Sequence, residues 1–217
     1  MEDYQVYNSG YPGDTTVELL ARFERDVAAH NPDAVILLAG SNDMFYPGHM
    51  LPLETYRNNL EKLISKIEQI DAVCVLMTAP HFIHDLLLEN FPDTLQNPIP
   101  LAERLEQLND TIRQVAVQKC IRVVDVCKLI TPVDLSAGSL VLNPLNSNKR
   151  DGMHMTAAGY KVIAENAGRL LRKYYPEAKT VVCFGDSITY GVYMPGKGTA
   201  AIDALTYPGQ LCKYLNG

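Results

Sequence analysis

A serine that could act as a nucleophile stands in the segment Phe184–Gly191, FGDSITYG. The apolar run before it predicts a strand that ends at Phe184, and Gly-Asp-Ser predicts a sharp turn out of that strand. Ser187 would then stand at the carboxyl edge of a sheet, where its backbone N–H could face an oxyanion. A serine is a weak nucleophile without an adjacent base, and Gly, Asp and Ser are also ordinary turn residues. The segment alone therefore leaves catalysis and a plain turn open.

An aspartate and a histidine three residues apart offer the base that Ser187 would need. Asp151 and His154 lie in DGMHMTAAG, just before a helical pattern that begins near Thr156. In a turn, the carboxylate of Asp151 could bond one imidazole nitrogen, fix the tautomer of His154 and leave the other nitrogen free as a base. The alternative is ordinary loop polarity ahead of a helix N-cap. The pair is thus a candidate for the base and its orienter.

Two further motifs could stabilise the negative charge that forms when a serine attacks a carbonyl. Asn42 lies in GSND, directly after the apolar run AVILLA, so its side-chain N–H could point at an oxyanion from a strand end. Gly13 lies in NSGYPGDTT, where it could present an unobstructed backbone N–H. Each motif alone also fits a turn. Together with the serine and histidine motifs, they supply a nucleophile, a base, an orienter and oxyanion donors for acyl transfer.

The four motifs resemble the sequence blocks of the SGNH hydrolases, also called GDSL esterases. FGDSITYG looks like the family's nucleophile block, NSGYPGDTT its glycine block, GSND its Gly-x-Asn-Asp block and DGMHMTAAG its Asp-x-x-His block. The resemblance implies that Ser187 is the nucleophile, His154 the base and Asp151 its orienter. It also implies an oxyanion hole formed by the N–H groups of Ser187 and Gly13 and by the Asn42 side chain, without a cofactor or a metal.

The order of these blocks departs from the family. The serine block opens the family's chains, whereas here it comes near the end. Moving Thr180–Gly217 ahead of Met1 would restore the family order, so the sequence looks like a circular permutation, natural or engineered. Triads depend on geometry and not on chain order, so permutation need not harm the chemistry. Under this hypothesis, Met1 and Gly217 should lie near each other at the amino-terminal edge of the sheet, away from Ser187.

Short apolar runs alternate with longer segments of helical period along the chain. The candidate strands are Tyr4–Asn8, Ala34–Ala39, Ala72–Met77, Arg122–Val126 and Thr180–Phe184. The candidate helices are Thr15–His30, Leu53–Gln69, Pro100–Lys119, Thr156–Tyr175 and Tyr207–Leu215. Two irregular stretches, 81–99 and 131–149, follow strand ends and should shape the substrate pocket.

The alternation predicts an α/β fold in a single domain over residues 1–217. We expect a three-layer α/β/α sandwich with a five-stranded, flavodoxin-like parallel sheet, because several strands are nearly continuous apolar runs. The family resemblance implies the sheet order 2-1-3-4-5 when the strands are counted from Thr180. Thr15 and Thr156 are predicted to cap the amino ends of their helices.

Composition and charge exclude several classes of protein. Of the 217 residues, 47% are apolar and 20% charged, which is ordinary for a globular protein. The net charge of −6 argues against non-specific nucleic-acid binding. No apolar run of about 18 residues predicts a membrane span, and no signal peptide is visible, so a cytoplasmic location is expected. The five cysteines are expected to be free thiols, and no Cys/His cluster suggests a metal site.

A serine esterase that acts on a small-molecule ester is the function that these features predict. The family that the sequence resembles includes carbohydrate deacetylases, lysophospholipases, thioesterases and arylesterases. The lack of a long exposed apolar segment favours short acyl groups, such as acetyl groups on sugars. An acyltransferase on the same triad is one alternative. A non-catalytic flavodoxin-like binding module is another, but it would have no reason to keep the nucleophile, base and asparagine together. The sequence leaves the oligomeric state open.

Overall fold

A computed structural model describes residues 3–92 and 97–217 of the chain. Within those residues, five strands form one parallel sheet. The strands are Gln5–Gly10 (β1), Ala34–Leu38 (β2), Val73–Met77 (β3), Arg122–Val124 (β4) and Thr180–Gly185 (β5). Their order across the sheet is β1-β5-β2-β3-β4, which is the predicted order 2-1-3-4-5 when β5 is counted first.

Helices connect the strands and cover the sheet. In chain order, those of the described residues are Thr16–Asp26 (α1), Ser41–Phe45 (α2), Leu53–Gln69 (α3), His84–Asn90 (α4), Leu101–Gln118 (α5), Val126–Leu129 (α6), Pro144–Ser147 (α7), Ala157–Tyr174 (α8), Ser187–Tyr190 (α9) and Tyr207–Asn216 (α10). Thr15 and Thr156 cap α1 and α8 as predicted, because their hydroxyls accept hydrogen bonds from the N–H groups of Val17 and Gly159. None of these helices is both long and apolar enough to cross a membrane.

The sheet is buried on both faces, which explains why its strands are nearly continuous apolar runs. Side chains of β2 alternate between two cores. Ala34, Ile36 and Leu38 pack with α8 and α10, whereas Val35 and Leu37 pack with α1, α3 and α5. This double burial confirms the predicted three-layer α/β architecture. It also fixes the strands rigidly, so that the turns leaving their carboxyl ends are held at one edge.

The first loop predicted to be irregular, 81–99, contains the helix α4. Leu86 and Leu87 of this helix are buried, so tertiary packing stabilises a segment whose own sequence pattern is too short to indicate a helix. Residues 93–96 of the loop lie outside the described part of the chain. Within the second such loop, 131–149, the only helix is the single turn α7.

The fourth strand is shorter than predicted, and the first helix is interrupted. β4 ends at Val124 because Asp125, which accepts hydrogen bonds from Thr78 and Arg113, turns the chain into α6. The helix predicted to reach His30 ends at Asp26 and is followed by a 3-10 turn.

Segments from the two ends of the described chain meet at the amino-terminal edge of the sheet. The N–H of Tyr4 donates to Asn216 Oδ1 at 2.8 Å, and Asn216 Nδ2 donates to the Tyr4 carbonyl at 3.0 Å. Met1, which was predicted to lie near Gly217, is outside the described residues. Ser187 follows the opposite end of β5.

Candidate active site

Three of the predicted motifs follow neighbouring strands of the sheet. Ser187 is the first residue of α9, directly after β5. Asn42 lies in α2, just after β2, and Gly13 lies in the turn after β1. Because β5 pairs in parallel with both β1 and β2, the three turns emerge side by side at the carboxyl edge. The structure therefore brings together motifs that lie at opposite ends of the chain.

The turn that carries Ser187 is built around a buried aspartate. Asp186 caps α9, and its Oδ1 accepts a hydrogen bond from the Ile188 N–H at 2.9 Å. Burial raises the pKa of Asp186 to about 7, although the hydrogen bond from Ile188 acts in the opposite direction. Ser187 is 8% exposed and His154 is 6% exposed, so a reaction at this turn would be largely shielded from water.

Asp151 and His154 form a buried, hydrogen-bonded pair. Asp151 Oδ1 lies 2.8 Å from His154 Nδ1, and Asp151 Oδ2 accepts from the N–H groups of Met153 at 3.0 Å and His154 at 2.6 Å. Burial alone would raise the pKa of Asp151. The hydrogen bonds that the carboxylate accepts and the charge of His154 outweigh that effect, so the pKa is lowered. A carboxylate only accepts, so Nδ1 carries the hydrogen. His154 Nε2 is buried and has no hydrogen-bond partner among residues 3–92 and 97–217.

Both loops predicted to shape the pocket support the Asp151–His154 turn. The carbonyl of Gly152 accepts from the Ile83 N–H at 2.8 Å, and the Gly152 N–H donates to the Leu142 carbonyl at 2.9 Å. Gly152 has a φ of +76°, and a Cβ there would come within 2.6 Å of the Leu86 Cβ. A side chain at this position would therefore displace the turn that carries the histidine.

Asn42 is fixed to the glycine turn. Its side-chain Nδ2 donates to the backbone carbonyl of Asp14 at 2.8 Å, and Asn42 is buried. A primary amide has two N–H donors, so this bond orients the second one. The neighbouring Gly13 has a φ of +88°, and among the described residues no atom outside Gly13 and its two chain neighbours lies within 4 Å of where its Cβ would be. The space that a side chain at Gly13 would fill is therefore open.

Tyr193, which lies outside the predicted motifs, contacts His154, and Lys149 in turn contacts Tyr193. The ring of Tyr193 packs at 88° against the imidazole of His154, with centroids 5.7 Å apart, and the ammonium of Lys149 lies 4.5 Å from the centre of the Tyr193 ring. Tyr193 is half exposed and has a left-handed φ of +69°. Such backbone strain often marks functional sites. The tyrosine lies in a loop after Ser187 without a recognisable pattern, so no motif indicated it.

A further buried carboxylate, Asp43, lies within the asparagine motif, next to Asn42. Asp43 accepts hydrogen bonds from the Thr16 N–H at 3.1 and 3.2 Å, and Asn59 Nδ2 donates to the Thr16 hydroxyl at 3.1 Å. Burial raises the pKa of Asp43 to about 6. These contacts tie α2, α1 and α3 together beneath Asn42. Asp43 is the last residue of the Gly-x-Asn-Asp block, but a role was predicted only for Asn42 of that block.

A comparison with known families identifies the class of the chain. The model described as the GDSL-like lipase/acylhydrolase family matches residues 2–162. The chain therefore belongs to the GDSL-like lipase/acylhydrolase family. The matched stretch includes Gly13, Asn42, Asp151 and His154 and ends before β5.

Individual relatives agree with this class. An acetylxylan esterase from Geobacillus stearothermophilus is 26% identical over 174 residues, which are 74% of this chain and 68% of that protein. An arylesterase from Vibrio mimicus is 36% identical over 76 residues, 35% of this chain and 36% of that protein. The solved structure of a lipase/acylhydrolase from Enterococcus faecalis has a TM-score of 0.59 at 24% identity, over 75% of this chain and 72% of that one, and shows the same fold. The chain is an ester-hydrolysing enzyme of this family.

Asp186 should make the protein less stable as the pH rises. Its pKa of about 7 in the folded state exceeds the ordinary value of 3.8, so the folded protein binds a proton that the unfolded chain releases. The free energy of unfolding should therefore decline between about pH 4 and about pH 7. Asp186→Asn keeps an acceptor for Ile188 but does not titrate. We expect the decline to be smaller in this variant, by a few kcal/mol at most, since one pKa unit corresponds to about 1.4 kcal/mol.

Urea denaturation at several pH values between about 4 and 7 measures this difference. The exposed Asp203 provides a matched control, and Asp203→Asn should leave the pH dependence of wild type unchanged. Identical pH profiles for Asp186→Asn and wild type would show that Asp186 does not take up a proton in the folded state.

Proposed function

We propose that the chain is a serine esterase that hydrolyses small acyl esters through the triad Ser187, His154 and Asp151. The observation that carries the proposal is the buried imidazole of His154. Asp151 holds its Nδ1, while its Nε2 has no hydrogen-bond partner among the described residues. Nε2 is therefore available to take the proton of a serine hydroxyl. The packing of His154 against Tyr193, six residues after Ser187, supports the proximity of the two motifs.

In the proposed reaction, Ser187 Oγ attacks the carbonyl carbon of the ester while its proton passes to His154 Nε2. Asp151 stabilises the imidazolium that forms. The negative charge on the carbonyl oxygen is stabilised by the N–H groups of Ser187 and Gly13 and by the side chain of Asn42. His154 then gives the proton to the leaving alcohol. Water, deprotonated by the same histidine, hydrolyses the acyl-enzyme and restores Ser187.

We propose short acyl groups, and in particular acetyl groups on carbohydrates, as the substrate class. The similarity to an acetylxylan esterase over 74% of the chain supports this class. The similarity to an arylesterase, over a shorter stretch, supports aryl esters of short acids as further substrates. Thioesterase, lysophospholipase and acyltransferase activities would use the same triad, and they are distinguished by supplying the corresponding thioesters, lipids or acceptor alcohols.

We also propose that residues 1–217 form one domain that is circularly permuted relative to the family. The family model matches a stretch that ends before the serine block, which the family places first. The segment Thr180–Gly217 supplies β5, a strand inside the sheet. Tyr4 and Asn216 lie within hydrogen-bond distance, so a short connection there would give the family order. The loop between α8 and β5, residues 176–179, would then be where the family's chains begin and end.

Ser187→Ala and His154→Ala should each lower kcat for p-nitrophenyl acetate by at least about 10⁴-fold, because each removes a group that takes part in bond formation. The double variant should be scarcely slower than either single variant, since the residues act as a unit. Ser136→Ala and His84→Ala, at exposed positions, are matched controls and should keep wild-type rates. Substantial turnover by Ser187→Ala would contradict the assignment of Ser187 as the nucleophile.

Asn42→Ala should lower kcat by about 10²- to 10³-fold with little change in KM, because an oxyanion donor acts on charge that develops only in the transition state. Steady-state kinetics with p-nitrophenyl acetate separate the two constants. Asn166→Ala, on the outer helix α8, removes an amide that donates to the Val162 carbonyl and should not affect kcat. If Asn42→Ala raises KM alone, Asn42 binds the substrate in its ground state and the proposed role is wrong.

A variant in family order tests the permutation. A short linker joins Gly217 to Asp3, and the chain is opened within residues 176–179. We expect the thermal midpoint to stay within a few degrees and kcat/KM within about threefold of the parent, because the same packing and site are kept. Opening the chain inside α5, whose apolar face packs on the sheet, should instead prevent folding. Failure of the family-order variant to fold would count against the proposed relationship.

A further inference from the structure

Arg22, on α1, binds two of the motifs that the proposed reaction needs, although it belongs to neither. Its Nε donates to Asp14 Oδ2 at 2.6 Å, and its Nη2 donates to the Gly185 carbonyl at 2.8 Å. Its Nη1 donates to the Ser9 carbonyl at 2.9 Å and to Asp26 Oδ2 at 3.0 Å. The side chain is 10% exposed. One buried guanidinium thus joins the carboxyl ends of β1 and β5 to the glycine turn.

Asp14 connects Arg22 to Asn42. Its carboxylate is held by Arg22, while its backbone carbonyl accepts the hydrogen bond from Asn42 Nδ2. Burial raises the pKa of Asp14, and the hydrogen bond and charge of Arg22 act against that rise. An unpaired carboxylate is costly to bury. Without the guanidinium, we expect the Asp14 segment to shift, and with it the carbonyl that orients the Asn42 amide.

The contact with Gly185 positions the turn that carries Ser187. Gly185 lies two residues before Ser187, and its carbonyl accepts from both Arg22 Nη2 and the Tyr11 N–H at 3.0 Å. The guanidinium also lies over the Phe184 ring, 4.6 Å from its centre. A planar guanidinium directs its donors at fixed angles, so it sets the relative positions of its acceptors in a way that a lysine ammonium does not.

We propose that Arg22 is a positioning residue for the oxyanion hole. It orients the Asn42 amide through Asp14 and aligns this donor with the Ser187 turn through Gly185. This inference rests on the proposed esterase function. A displaced donor weakens the stabilisation of charge that exists only in the transition state, so loss of Arg22 should lower kcat and leave KM nearly unchanged.

A double-mutant cycle between Arg22 and Asn42 tests the proposal. Arg22→Met alone should lower kcat for p-nitrophenyl acetate by about 10²-fold, the scale of one lost donor, with KM within about threefold of wild type. In the Asn42→Ala background, the same change should lower kcat by less than about threefold, because the group that Arg22 orients is already absent. Arg22→Lys should give a kcat between those of wild type and Arg22→Met. It replaces Arg22→Met in the double-mutant cycle if Arg22→Met does not fold.

Arg25→Met is the matched control, because Arg25 lies on the same helix, pairs with Asp26 and is 75% exposed. Its kcat should equal that of wild type.

The proposal is overturned if the Arg22 variants keep wild-type kcat, or if their loss is as large in the Asn42→Ala background, which would mark a general structural role. If Asn42→Ala is impaired while the Arg22 variants are not, the esterase mechanism stands and this inference alone is wrong. If Asn42→Ala keeps full turnover, both the oxyanion role and this inference fail.

Discussion

The parallel pairing of β5 between β1 and β2 is the constraint on which the site depends. Its register places Gly185 opposite Gly10 on one side and opposite Leu38 on the other. The serine, glycine and asparagine motifs therefore leave the sheet at one level, although β5 is the last strand of the chain and its neighbours are the first two. Burial of the sheet on both faces makes this pairing rigid. Strand pairing, and not order along the chain, assembles the site.

Several carboxylates are buried around these turns, and their surroundings give them different protonation behaviour. Asp14 is paired with Arg22, and Asp151 accepts hydrogen bonds from the imidazole and from two backbone N–H groups. Burial prevails at Asp14, whose pKa is raised despite the pairing with Arg22, and at Asp43 and Asp186, whose pKa values rise to about 6 and about 7. The carboxylate that faces the histidine has a lowered pKa. It is thus ionised, which is the state that stabilises an imidazolium.

The sequence was sufficient to predict the layers, the strand positions and the sheet order, because apolar periodicity and motif resemblance carry that information. It was not sufficient for α4, whose buried leucines are recognisable only once the sheet and its loops are in place. Residue type and spacing singled out the Asp151–His154 turn. They could not single out Tyr193 or Arg22, because these residues reach their partners only after distant segments have paired through β5.

The most direct test of the central claim, that Ser187 is a nucleophile activated by His154, is covalent labelling with a fluorophosphonate followed by peptide mapping by mass spectrometry. The reagent forms a stable adduct with an activated serine. We expect one adduct per chain, located on Ser187, absent from Ser187→Ala and formed far more slowly in His154→Ala. An adduct on another residue, or ester hydrolysis by a protein whose Ser187 stays unlabelled, would contradict the claim.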